Sequence, residues 1–258
     1  MPHESYEFVT GAPDTRLLLT CDHASNRVPA EIGAIGLSDA DMARHIAWDI
    51  GARGVTLGLA ERLGGAAVLS TVSRIVIDPN RAEDDPTLVR RIYDRSVVEG
   101  NRHAGPAEVA RRIEAYYRPY HERIERAIAE LSARGVPVVI AIHSYTPQLK
   151  GRAPRPWEVG ILWDRIDGRI AVPLMEGLRA DGLCVGDNEP YPGFYGGDSQ
   201  HRHAMVKGLP NVLIEIRNDL IADAEGQEAW AERLARHLRP ILETPAVQRL
   251  FDGVGGQD

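Results

Sequence analysis

Cysteine is scarce in this chain: Cys21 and Cys184 are the only two among 258 residues. Two thiols are too few for a disulfide framework, and a reducing cytoplasm is the natural compartment. No uninterrupted apolar stretch approaches the roughly 20 residues that cross a bilayer, so no membrane span is expected. No block of lysine or arginine is long enough to track phosphates, and the net charge is −7. Nucleic acid is therefore not an expected partner. Residues Met1 to Ser5 show no basic region leading into an apolar one, and no signal peptide is expected. Internal repeats, low-complexity linkers and a His-Glu-x-x-His word are also missing.

What is present is a large apolar fraction, 43%, enough for a sizeable core. Strand-like runs alternate with helical patterns, which predicts a single α/β domain over 1–258 with a fraying end at 253–258. The expected strands are Leu17–Cys21, Ala66–Thr71, Ile75–Ile77, Val138–Ile142, Val159–Trp163 and Val212–Ile216. A first helix is expected from the N-cap Ser38 to Leu63, ended by Gly64-Gly65. A longer one is expected from Pro106 to Ala133, with apolar residues at three- and four-residue steps and Pro119 as a kink. Asp167–Ala180 and Glu225–Leu242 read as two more. Segments 81–103 and 187–207 fit neither period, and long irregular stretches in a compact domain are commonly functional loops.

Two strands carry polar words at their tips. Leu17-Leu18-Leu19-Thr20-Cys21 runs into Asp22-His23, and Val138-Val139-Ile140-Ala141-Ile142 runs into His143-Ser144. Ligands bind outside the carboxyl ends of strands in open α/β sheets. His23 and His143 are therefore candidate metal ligands. Catalytic zinc sites use three protein ligands, and two imidazoles with one carboxylate would serve. Asp49 and Asn26 are the candidates for the third, and Asp22 could orient His23 from behind.

Glu215 interrupts the apolar run Asn211-Val212-Leu213-Ile214-Glu215-Ile216-Arg217. A buried charge is costly unless it is paired or liganded. It either pairs with Arg217 on the same strand face or acts as a general base toward water. Arg74 and Arg81 flank a short apolar stretch that ends in Asp78-Pro79-Asn80. The bland reading is a turn; the functional one is a guanidinium fork for a substrate carboxylate. His201 and His203 read as loop residues.

These words resemble, as a set, the N-formylglutamate amidohydrolase family. They are Asp22-His23-Ala24-Ser25-Asn26-Arg27-Val28-Pro29, Ser73-Arg74 through Asp78-Pro79-Asn80-Arg81, Tyr117-Arg118-Pro119-Tyr120-His121, His143-Ser144, His203 and Ile214-Glu215. The family is similar to zinc carboxypeptidases and aspartoacylases. The resemblance implies a mixed, mainly parallel central sheet flanked by helices and one zinc ion. It implies His23 and His143 as ligands, Glu215 as the catalytic base, and Arg74, Asn80 and Arg81 as carboxylate binders. It further implies that His203 positions the substrate or its developing oxyanion. Asn26 stands where relatives carry a ligating glutamate, which makes Asp49 the preferred third ligand. Asp22-His23-Ala24-Ser25 departs from the Pro-His-Ser/Ala-Gly expected of the family proper, which points to a divergent branch. The expected activity is hydrolysis of an N-formyl or other N-acyl amino acid. The alternatives are a metallocarboxypeptidase for short peptides and a non-catalytic binder of small carboxylates. Homo-oligomerisation is left open.

Overall fold

The backbone is organised by one seven-stranded sheet, seen in a computed structural model that describes residues 4–193 and 196–252. The expected fraying end at 253–258 lies outside the described residues. In chain order the strands are β1 (Tyr6–Val9), β2 (Leu17–Cys21), β3 (Ala66–Ser70), β4 (Ile92–Tyr93), β5 (Ser96–Val97), β6 (Val138–Tyr145), β7 (Val159–Leu162), β8 (Val185–Asp187) and β9 (Asn211–Arg217). The α-helices are α1 (Asp39–Met42), α2 (Ala52–Leu63), α3 (Pro106–Arg112), α4 (Arg118–Ser132), α5 (Ala171–Ala180), α6 (Ser199–His203) and α7 (Ala224–Leu242). The sheet order is β1-β3-β2-β6-β9-β7-β8, while β4 and β5 form a separate hairpin. Strands β3, β2, β6 and β9 run parallel, and β1 and β7 pair antiparallel at their flanks. This is the expected mixed, mainly parallel α/β sheet.

The alternation of side chains along each strand sorts the core into two layers. Leu17, Leu19 and Cys21, with Ile140, Ile142, Val212 and Ile214, pack under α2, α5 and α7. Leu18, Val68 and Val139 face the other way, onto Tyr120, Ile124, Ile128 and Leu131 of α4. Those α4 residues recur at three- and four-residue steps, so one stripe of the helix is buried. Strands buried on both faces read as continuous apolar runs, which is how β2 and β6 look in sequence.

Three expectations are corrected. Ile75–Ile77 is a turn rather than a strand: Val76 N–H donates to Ser73 O at 2.9 Å, and the three side chains bury in loop-side clusters. The helix expected from Ser38 to Leu63 is broken. Ser38 does cap α1, accepting from Asp41 N–H, but the chain leaves the helix after Met42. It re-enters at α2 behind Gly51, whose φ of 81° lies in the left-handed region. The helix expected over Pro106–Ala133 holds a π segment at Ile113–Tyr117, just before Pro119, which cannot donate a backbone hydrogen bond.

Candidate active site

The break between α1 and α2 delivers Asp49. Its backbone N–H donates to His23 O at 3.0 Å, tying the connection to the tip of β2. On the sheet, Thr20 pairs with Ala141 and His143 pairs with Glu215. The ends of β2, β6 and β9 therefore converge. His23, Asp49 and His143 are buried, and one ligand atom from each falls within 4.8 Å of the others. Asp49 Oδ2 stands 3.2 Å from His23 Nδ1 and 2.9 Å from His143 Nδ1. Around a tetrahedral zinc with bonds of about 2.0–2.2 Å, neighbouring ligand atoms would be roughly 3.3–3.6 Å apart. The observed spacings come close to that.

The outer nitrogens explain why these rings point inward. His23 Nε2 contacts Asp78 Oδ1 at 2.7 Å, and His143 Nε2 contacts Asp22 Oδ2 at 3.1 Å. Carboxylates behind ligating histidines fix the tautomer and raise ligand basicity. Two bare Nδ1 lone pairs facing a carboxylate oxygen would repel it. The electrostatics call for a cation at the centre, either a proton on His143 or a divalent metal. Burial opposes charge on His143, but the hydrogen bonds and charges of Asp22 and Asp49 push its pKa well above the usual value. Burial likewise works against the Asp49 carboxylate, yet His23 and His143 drive it far below its usual range. Asp22 is drawn down to about 2 against the effect of burial, by His143, His23 and the Tyr120 hydroxyl that donates to Oδ1 at 2.6 Å. The donor set thus fits a metal ion.

Glu215 behaves differently. Its Oε2 is buried with no hydrogen-bond partner, and burial lifts its pKa to about 7, tempered by His143 and reinforced by Asp49. The strand-face pair with Arg217 does not form, because Arg217 turns to Asp219 at 2.8 Å.

A cavity of about 250 Å³ opens on these groups. Its lining includes His23, Asp49, His143, Glu215, Arg74, Asn80 and Arg81, so seven of the eight site residues expected from sequence come together. His203 is the exception and does not line the cavity. It is buried behind it, with Nε2 2.7 Å from His121 Nδ1, and His121 Nε2 in turn reaches Pro79 O at 3.0 Å. Arg74 lines the cavity, but its guanidinium is engaged by Asp78 at 2.9 Å and Asp49 at 3.3 Å. Asn80 Oδ1 accepts from Ser199 N–H at 3.0 Å. Asn26 is exposed, its amide bound to Met42 O. Asp22 backs His143 rather than His23, the role expected of it having passed to Asp78.

Sequence reasoning missed Asp78 as the carboxylate behind His23. It also missed His45, Arg90, Tyr93 and Tyr191 in the cavity wall. The available signal for Asp78 was an acid at the end of a short apolar stretch, as Asp22 is at the end of Leu17–Cys21.

Two imidazoles and a carboxylate around a cation position, with a buried glutamate oxygen left unpartnered beside them at the strand ends, are groups that can hold a metal ion and take a proton from water. Residues 15–222 match the family model for N-formylglutamate amidohydrolase, and the chain belongs to that family. Among solved structures, it is similar to a gene product of Agrobacterium tumefaciens. The two are 37% identical over 93% of this chain and 95% of that one, with a TM-score of 0.87. It shares its fold with an N-formylglutamate amidohydrolase from Ralstonia eutropha, at 24% identity over 92% and 97% of the two chains and a TM-score of 0.69. No curated protein matches the sequence. No helix among the described residues is long and apolar enough to cross a membrane.

Proposed function

We propose that this chain is a zinc-dependent hydrolase that cleaves the amide bond of an N-formyl or other short N-acyl amino acid. N-formylglutamate is the first substrate to test. The observation that carries this reading is Glu215, a buried carboxylate with an unpartnered oxygen, registered opposite His143 and facing the cavity.

His23, Asp49 and His143 would hold the metal. Bound there, it supplies Lewis acidity toward the acyl oxygen and lowers the pKa of water toward about 7. Glu215 accepts the proton of the attacking water and returns it to the leaving nitrogen, a task suited to a carboxyl poised near neutrality. Arg81 and Asn80 hold the α-carboxylate and so bring the scissile bond to Glu215. Arg74 keeps Asp49 and Asp78 oriented behind the reacting centre. The products are a carboxylic acid, formate for a formyl substrate, and the free amino acid. A cavity of about 250 Å³ suits one amino-acid derivative better than a peptide.

Metal analysis of the purified protein, followed by a hydrolysis screen over N-formyl, N-acetyl and N-carbamoyl amino acids, tests this reading. It expects one bound divalent ion per chain and release of amino acid from at least one series. A zinc-loaded protein that binds these compounds and cleaves none would instead be a carboxylate-binding protein.

A further inference from the structure

We propose that a row of apolar side chains beside Glu215 holds the acyl chain of the substrate, so that the enzyme prefers propionyl and butyryl amino acids to their N-acetyl counterparts. The inference rests on the amide-hydrolase reading and assigns the acyl group to one wall of the same cavity.

Strand register places the row. His143 of β6 pairs with Glu215 of β9; two residues back, Ala141 pairs with Leu213, and Leu213 pairs with Leu162 of β7. Residues two apart on a strand share a face, so this row lies on the face that carries His143 and Glu215, about 7 Å further along the sheet. The three side chains form an apolar cluster of their own, apart from the layers under α4 and under α2, α5 and α7. Leu162 and Leu213 both line the cavity.

Tyr191 packs against this cluster and lines the cavity as well. Gly160 makes that approach possible. It registers opposite Glu215, and a Cβ there would stand 2.0 Å from Glu189 O. The chain that follows β8 can therefore cross close to the sheet beside Glu215 and lay the Tyr191 ring on the row.

The polar wall is on the other side of the reacting groups. The stretch Asp78 to Arg81 is tied to the tip of β2 through His23. Tyr117, just before α4, donates to Arg81 O at 2.7 Å, and His121 of α4 holds Pro79 O. The sheet order β2-β6-β9-β7 sets Leu162 three strands from β2, about 14 Å, with His143 and Glu215 between. A substrate whose carboxylate is held by Asn80 and Arg81, and whose amide carbon faces Glu215, extends its acyl group over Leu213 and Leu162. Hydrocarbon covering that row displaces water from apolar surface, which is favourable.

The test measures kcat/KM of the zinc-loaded enzyme for N-acetyl-, N-propionyl- and N-butyrylglutamate, whose amide carbonyls are similar in reactivity. Each added methylene should raise kcat/KM by about fourfold. Leu213→Asn and Leu162→Asn keep a branched side chain and remove the apolar surface, and in each the butyryl-to-acetyl ratio should fall toward one. Circular dichroism identifies the variant that has folded. A flat or falling series in wild type, cleavage of the formyl compound alone, or an unchanged ratio in a folded variant would overturn the subsite and leave the hydrolase reading standing. So would a gain that follows the amino-acid side chain, N-acetylnorleucine over N-acetylalanine, without one along the acyl series. If no compound is cleaved, calorimetry with acetate and butyrate separates the two ideas. Butyrate should bind roughly tenfold more tightly to wild type; equal affinities overturn the subsite.

Discussion

Asp22 grips His143 from behind, with Oδ2 3.1 Å from Nε2, while its other oxygen takes the Tyr120 hydroxyl at 2.6 Å. A histidine so held presents Nδ1 to Asp49 in one orientation. Asp22→Asn should therefore weaken zinc binding by about ten- to a hundredfold. Competition with a fluorescent chelator measures this. Unchanged affinity would mean that the Asp22 contact does not orient a ligand. Tyr120→Phe removes one neutral donor from the same chain and should cost less.

Arg74 is the counter-charge for both Asp49 and Asp78. Removing one partner from a buried ion network leaves uncompensated charge. Arg74→Met should destabilise the fold by about 3–5 kcal/mol. Arg74→Lys should recover only part, because a single ammonium cannot reproduce the fork that spans two carboxylates. Urea denaturation reads both.

How much of this was legible in the sequence follows from what each residue depends on. Leu17–Cys21 and Val138–Ile142 were readable because a strand covered on both faces leaves a continuous apolar run. His23 and His143 stood out as polar groups at the ends of those runs, and Glu215 as an acid inside Val212–Ile216. Asp49 was named while its surroundings were read as helix; the break that brings it in depends on a hydrogen bond to His23, 26 residues away, which no local pattern encodes. Ile75–Ile77 has strand composition, but its length leaves it ambiguous, and packing against loop-side clusters made it a turn. Arg90, Tyr93 and Tyr191 come from irregular segments without periodicity, so only the fold could reveal that they share a wall with Glu215.

The raised pKa of Glu215 has a cost in the metal-free protein. Burial pushes its carboxyl up to about 7 in the folded protein, well above the usual glutamate range. A group with a raised folded pKa contributes stability that is full below the unfolded value and lost as pH rises through the folded one. Glu215→Gln should therefore stabilise chelator-treated protein at pH 8 by on the order of 3 kcal/mol and leave it unchanged near pH 4. Paired urea titrations at the two pH values check this; an equal gain at both would show that the buried charge is not its source.

His203 sits behind the cavity, stacked on His121, and the pair is held neutral: burial takes His121 to about 4 and His203 to about 2. With His121 Nε2 donating to Pro79 O, His121 Nδ1 accepts from His203 Nε2–H. His203→Phe should cost about 1–3 kcal/mol of stability by stranding that acceptor. It should leave KM within about threefold, since a lost substrate contact would cost more. Thermal melts and steady-state kinetics together decide between a supporting and a contacting role.

Glu215 carries the central claim, and the most direct measurement is kcat of Glu215→Gln at saturating substrate, with metal content determined on the same sample. The account predicts one metal ion per chain, as in wild type, with kcat reduced by about a hundredfold or more, the contribution of a general base. Full activity in a metal-loaded Glu215→Gln protein would contradict it.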